Sequence, residues 1–234
     1  MKGEESKPAI FALGHSTRPI DKFEAILQAH SISTLVDIRT VPKSRHNPQF
    51  DGEALHEALT KAGVCYLQMK ELGGLRRPMR GSIVNAGWIN ESFRGFADYM
   101  QTAEFETALE HLIRLAGAGR VAIMCAEGNP YRCHRSLVAD ALEARGVHVL
   151  QISGPGKGRP HRVTSFAKVV GARVTYPKME AARRRPAPHS KPPPRRSCAR
   201  SVQILSRPSK RRSSQSPSAR MQPSDSRAGR RGSS

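Results

Sequence analysis

The sequence predicts an α/β fold: one three-layer domain with a mostly parallel sheet of about five strands and flanking helices, then a disordered basic tail. Three observations predict it. Short apolar runs alternate with helical apolar stripes from Ala9 to Ile152, the pattern of strands joined by right-handed helical crossovers. One run, Val121-Ala122-Ile123-Met124, is apolar on both faces, as a central parallel strand must be. The composition then breaks near Pro177. From there to Ser234, 16 Lys and Arg stand against only Glu180 and Asp225, so this segment carries +14 of the chain's +20. The predicted domain covers residues 8–170 and the tail residues 177–234.

The elements follow in order. Ala9-Ile10-Phe11-Ala12-Leu13 reads as a buried strand stopped by Gly14. Pro19 suits a first helical turn, and Ile20, Phe23 and Leu27 make the stripe behind it. Thr34-Leu35-Val36-Asp37-Ile38 is the second strand. Asp51 is positioned to cap a helix carrying Leu55, Ala58, Leu59 and Ala62, with Gly63 ending it. Val64 to Met69 is the third strand. From Glu71 to Asn90 the chain is glycine-rich and aperiodic, and a loop this long inside a compact domain points to function. Two helical patterns follow, Phe93, Phe96 and Met100, then Phe105, Leu109, Leu112 and Ile113 behind a Thr102 cap. After the central strand, a helix holds Leu137, Val138, Ala141 and Leu142 up to Gly146. Val147 to Ile152 is the fifth strand.

The tail has no Phe, Trp or Tyr and only one short apolar run, Val202 to Leu205. Such a chain cannot bury enough surface to offset its ordering entropy. Its two readings are electrostatic attachment to nucleic acid, driven by counterion release, and a solvated extension without a role. Arg183-Arg184-Arg185 and Lys210-Arg211-Arg212 would serve as nuclear signals only in a host with a nucleus. No window approaches the roughly 18 apolar residues of a membrane span. Met1 to Lys7 is polar and no secretory core follows, so a cytoplasmic protein without a membrane partner is expected. The four cysteines, Cys65, Cys125, Cys133 and Cys198, show no CxxC spacing and are expected as thiols.

In open parallel sheets, ligands bind beyond the carboxyl ends of the strands, where loops and helix N-termini converge. Here every strand is followed by a polar cluster with Arg or Lys. These are Gly14-His15-Ser16-Thr17-Arg18, then Asp37-Ile38-Arg39 with Pro42-Lys43-Ser44-Arg45, then Gly73-Gly74-Leu75-Arg76-Arg77. The fourth strand leads to Cys125-Ala126-Glu127 and Tyr131-Arg132-Cys133-His134-Arg135, and the fifth to Ser153-Gly154-Pro155-Gly156-Lys157-Gly158-Arg159. Five such clusters on one edge suggest an anion pocket, with phosphate the natural candidate. The plain alternative is a solvated rim of arginines.

The fourth cluster is the most suggestive. A thiol at Cys125, facing a helix N-terminus and Arg132 and Arg135, is expected to have a depressed pKa and to act as a nucleophile. Arg132 lies seven positions after Cys125, one more than the usual phosphatase loop allows. Cys125 is otherwise a small core residue at a strand end. Glu127 is either a general base or a partner for Arg132 or Arg135, and His15 either an acid near neutrality or a capping residue. Asp37 with Arg39 reads as a buried structural pair. Cys125, Cys133, His134 and His15 could together hold a metal, although Cys-x7-Cys-His is not a recognised zinc spacing. Gly154 to Gly158 lacks the Walker spacing and a following helix.

Taken together, Gly14-His15-Ser16, Val36-Asp37-Ile38-Arg39 with Pro42-Lys43-Ser44, Leu72-Gly73-Gly74, Cys125-Ala126-Glu127 and Cys133-His134-Arg135 resemble the bacterial and archaeal family called domain of unknown function 488. The resemblance spans about residues 10–166. It implies an α/β fold with a polar cluster on the strand ends, and no particular activity.

Three functions compete on the sequence. The first is an enzyme on an anionic small molecule or nucleic acid, without a cofactor, using Cys125, His15 and Glu127. Ser16, Arg18, Asp37, Arg39, Ser44, Gly73, Gly74, Arg132, Cys133, His134 and Arg135 would bind its substrate. The second is a non-catalytic nucleic-acid module, and the third a Cys/His metal or haem protein.

Overall fold

A computed structural model describes residues 9–178. The tail expected from residue 177, with Cys198, lies outside them save for its first two residues. Six strands form the main sheet in the order β3-β2-β4-β1-β5-β6. They are β1 (Ala9–Gly14), β2 (Thr34–Asp37), β3 (Cys65–Gln68), β4 (Val121–Cys125), β5 (His148–Gln151) and β6 (Arg159–Pro160). The first five run parallel, and β6 closes one edge antiparallel to β5. The expected parallel sheet is therefore present, with a sixth strand too short to leave a periodic signal.

Alternation along the strands sorts side chains into two cores. Phe11, Leu13, Leu35, Ala122 and Met124 face one side. There they meet α1 (Ile20–Ala29), through Phe23 and Leu27, and α2 (Gly52–Lys61), through Leu55 and Leu59. Ile10, Ala12, Val36, Ile38, Ile123 and Cys125 face the other side. There they pack on α3 (Glu91–Tyr99), α4 (Ala103–Ala118) and α5 (Arg135–Glu143). The result is three layers.

Local chemistry sets the helix ends. Pro19 precedes the first turn of α1, and Gly63, at φ 72°, takes the left-handed turn after α2. Asn90 caps α3 by accepting from the Ser92 and Phe93 backbone N–H groups, and Thr102 caps α4 by accepting from Phe105 N–H. Asp51 holds the cap position of α2, but its carboxylate accepts from the Ser44 backbone N–H at 2.7 Å. It pins the loop after β2 and leaves the helix N–H groups alone.

Two buried carboxylates hold the irregular segments. Asp98 on α3 accepts from Met79 N–H, Ser82 Oγ and Asn85 Nδ2, which organises the loop before α3. Asp140 on α5 accepts from His161 Nε2 at 2.7 Å, Thr164 N–H at 3.1 Å and Tyr176 Oη at 2.8 Å. Burial, then the neighbouring carboxylate, pushes the Tyr176 phenol upward, so it stays a donor. Asp140 thereby anchors the hairpin of β7 (Lys168–Val170) and β8 (Arg173–Thr175), whose Val174 and Tyr176 are buried in the second core. No helix among the described residues is long and apolar enough to cross a membrane.

Removing that carboxylate strands three donors in a dry interior. Asp140→Ala is expected to cost about 3–5 kcal/mol of stability, read from urea unfolding. A loss below about 1 kcal/mol would place the hairpin's anchorage elsewhere.

Candidate functional site

Parallel register brings the strand ends to one level. Gly14 lies opposite Cys125, and Asp37 opposite Met124. The ladder continues beyond β1, with His15 N–H donating to Cys125 O and Ser16 N–H to Ala126 O. Gly14 is needed at this contact, because a Cβ there would fall 1.9 Å from the Glu127 carbonyl oxygen. The loop after β4 is thus clamped against β1 and turns through Asn129-Pro130 into a short helical turn, Pro130–Arg132. That turn delivers Cys133 and His134 to the start of α5, beside Cys125.

Three groups converge there. His134 Nδ1 lies 3.9 Å from Cys125 Sγ and 3.8 Å from Cys133 Sγ. Its Nε2 lies 3.1 Å from the Ile38 carbonyl. A carbonyl can only accept, so Nε2 carries a proton and Nδ1 is turned on the two sulfurs. The ring is fixed from both sides: Phe96 meets it edge-on at 5.1 Å, and a Cβ on Gly74 would fall 2.4 Å from Nδ1.

The sulfurs share one charge. The neighbouring Cys133 thiol, ahead of every other influence, holds the Cys125 thiol well below its ordinary range. Burial opposes the shift, while His134 and the Glu127 backbone N–H add to it. Cys133 is pushed up in turn by the Cys125 thiolate it serves and by burial. The pair is best described as one thiolate and one thiol, with the thiolate on Cys125. Arg135 supports Cys133 through its backbone N–H at 3.4 Å and its Nη1 at 3.8 Å.

Cys125, Cys133 and His134 line a cavity of about 420 Å³. Of the other residues singled out in the sequence, Arg39, Gly74, Glu127 and Arg132 also line it, and Lys43 supplies a further cation. Thr40, Leu75, Ser92 and Phe93 complete the wall. Nothing in the sequence marked Ser92 and Phe93 as site residues, Phe93 reading only as part of a helical stripe; they arrive because α3 packs across the strand ends.

The remaining predicted residues serve elsewhere. His15 is buried and stacked on Phe50 at 4.3 Å. Its Nδ1 is 2.8 Å from Ser16 O and its Nε2 3.3 Å from Arg39 Nη1. Nδ1 therefore donates and Nε2 accepts, which gives a neutral ring. Burial lowers its pKa, the Ser16 bond opposes this, and Arg39 lowers it further. Asp37 accepts from Arg39 Nε at 2.9 Å and Nη2 at 2.6 Å and from Tyr66 Oη at 2.8 Å, so the expected structural pair is present as a network. Arg18 binds the carbonyls of Gly14, His15 and Ser153, joining the ends of β1 and β5. Ser16 takes a left-handed φ of 53°, and Ser44 accepts from Asn47 N–H. Gly73 packs on Thr40, and Arg135 is buried under the loop with Nη1 donating to Glu127 O. Strand alternation explains the division: His15 continues the parity of Phe11 and Leu13, whereas Cys125 has that of Val121 and Ile123.

The same three groups suit a soft metal ion. Their ligand atoms all lie within 4.8 Å of one another. Around a tetrahedral zinc, sulfur and nitrogen ligands would stand about 3.6 Å apart, against 3.8 and 3.9 Å here. The Ile38 carbonyl supplies the outer hydrogen bond that orients a histidine ligand. His15, the fourth ligand considered in the sequence, is turned away.

A family model, Domain of unknown function DUF488, matches residues 19–142, more than half of the chain. The chain belongs to the DUF488 family. The match takes in the whole loop from Cys125 to Arg135, while Gly14-His15-Ser16 precedes it. Comparisons with curated proteins and with solved structures give no match.

The lowered pKa has a direct consequence. The thiolate, complete above the ordinary thiol midpoint of about pH 8.5, persists as the pH falls below it. Alkylation of Cys125, followed by peptide mass spectrometry, is therefore expected to stay fast at neutral pH. In Gly74→Ala, whose methyl group displaces the imidazole, the midpoint should move upward. An unshifted profile in that variant would remove His134 from the account.

Proposed function

We propose that this DUF488 domain is a thiol-dependent enzyme acting on an anionic substrate, with Cys125 as its nucleophile. The observation that carries the reading is the convergence of Cys133 and His134 on the Cys125 sulfur at the wall of a cavity that also holds Lys43 and Arg132. A depressed thiol beside an open, cationic recess is what nucleophilic catalysis at neutral pH requires.

The chemistry balances with the residues at hand. In the resting site the Cys125 proton resides on His134 Nδ1. The thiolate forms a bond to the electrophilic centre of the substrate, and the leaving group departs with its electron pair and takes the Nδ1 proton. Water, deprotonated by Glu127, then attacks the enzyme-bound intermediate and expels the thiolate. The Glu127 proton returns to His134 through solvent. Lys43 and Arg132 hold the substrate's negative charge, and Arg39 with Asp37 and Tyr66 forms a fixed wall. His15, neutral and stacked on Phe50, positions Arg39 and takes no proton in this scheme.

A second reading rests on the ligand geometry alone: zinc held by Cys125, Cys133 and His134, with its fourth position toward the cavity. The two readings exclude each other at Cys125. Elemental analysis of the purified chain separates them, since one zinc per chain would replace the nucleophile reading.

Covalent capture tests the first reading. Incubation with a panel of phosphoryl, sulfuryl and acyl esters, followed by acid quench and mass analysis, should give an adduct on the Cys125 peptide. Glu127→Gln should make it accumulate, and Cys125→Ser should abolish both adduct and turnover. Turnover that survives in Cys125→Ser would overturn the proposal.

A further inference from the structure

On the other side of the 126–132 loop lies a second recess of about 380 Å³, beside the β5–β6 edge. It gathers Arg135, Lys157, Arg159 and Arg162, and among the described residues no acidic side chain lines it. Among the described residues none of these four cations is in an ion pair. Like charges brought together without counter-charges repel, and a bound anion relieves that repulsion.

A second observation points the same way. Arg135 is only 1 % exposed, yet its buried Nε has no hydrogen-bond partner among the described residues. Its Nη1 is committed to Glu127 O. A guanidinium left with an unanswered N–H at the base of a cationic recess is suited to an acceptor entering that recess. The backbone from Ser153 to Lys157 approaches with two glycines in the lining, Gly154 and Gly156, which let a ligand come close.

At the rim stands Tyr131, lining the recess and 71 % exposed. An exposed aromatic face next to clustered cations is the combination that stacks a base while holding its phosphate. We propose that this recess binds a nucleotide unit, with its phosphate on Arg135, Arg159 and Arg162 and its base on Tyr131. The site shares Arg135 with the support of Cys133, but it opens on the opposite face of the loop and needs no chemistry at Cys125. A free nucleotide and one residue of a nucleic-acid chain present the same phosphate and base.

Titration calorimetry of the full chain tests this with three probes: inorganic pyrophosphate, a nucleoside monophosphate and a short single-stranded oligonucleotide. Arg159→Gln with Arg162→Gln should weaken monophosphate binding roughly tenfold or more. Tyr131→Ala should weaken the monophosphate and leave pyrophosphate unchanged. Cys125→Ser should change neither, so failure of the catalytic reading would not touch this result. A control that removes equal charge elsewhere, Lys22→Gln with Arg114→Gln, should bind as the parent chain does. If only the oligonucleotide binds, and with the same losses, the occupant is a nucleic-acid chain. If the monophosphate binds as well, it is a free nucleotide. Equal weakening in pocket and control variants, or unchanged binding in Tyr131→Ala, overturns the proposal.

Discussion

The hydrogen bond from His134 Nε2 to the Ile38 carbonyl is the constraint on which the site depends. It joins the loop after β4 to the end of β2, and it decides which imidazole nitrogen faces the sulfurs. Without it the ring could turn, and Nδ1 would no longer address Cys125 and Cys133 together. The bond exists only because β2 and β4 are parallel neighbours in register. Sheet order, loop path and sulfur chemistry are thus one arrangement.

Around that centre the fold separates rigid charges from usable ones. Asp37, Arg39, Tyr66 and the Phe50 carbonyl satisfy one another, and His15 rests against them as a neutral ring. A buried pair of this kind contributes shape more than stability, because desolvation cancels most of its attraction. Lys43 and Arg132, by contrast, are exposed at the cavity mouth and meet solvent. The loop from Ala126 to Arg132 divides the crest into two recesses, one holding the sulfurs and the other the cations of the β5–β6 edge.

Much of this was legible in the sequence. The parallel sheet followed from the alternation of apolar runs and helical stripes, and the loop from Cys125 to Arg135 stood out through its residue types. What could not be read was which clusters meet. The sequence suggested one hollow from His15 to Cys133; strand parity sends His15 toward α1 and α2 and Cys125 toward α3, α4 and α5. Arg18 carried the right charge but turned to backbone carbonyls. The strand Arg159–Pro160 and the hairpin of β7 and β8 were missed because two or three residues carry no periodicity. Their position is set by Asp140, a single carboxylate that sequence alone does not distinguish from a surface acid.

The most direct measurement of the central claim is the ultraviolet absorbance of the thiolate in the folded chain, titrated against pH and compared with Cys125→Ser and Cys133→Ala. The account predicts one thiolate already present at neutral pH in the parent chain. It should be absent in Cys125→Ser and titrate at higher pH in Cys133→Ala, where the neighbouring thiol that leads the shift is removed. Absorbance that appears only above about pH 8.5 in all three chains would contradict the shared sulfur charge.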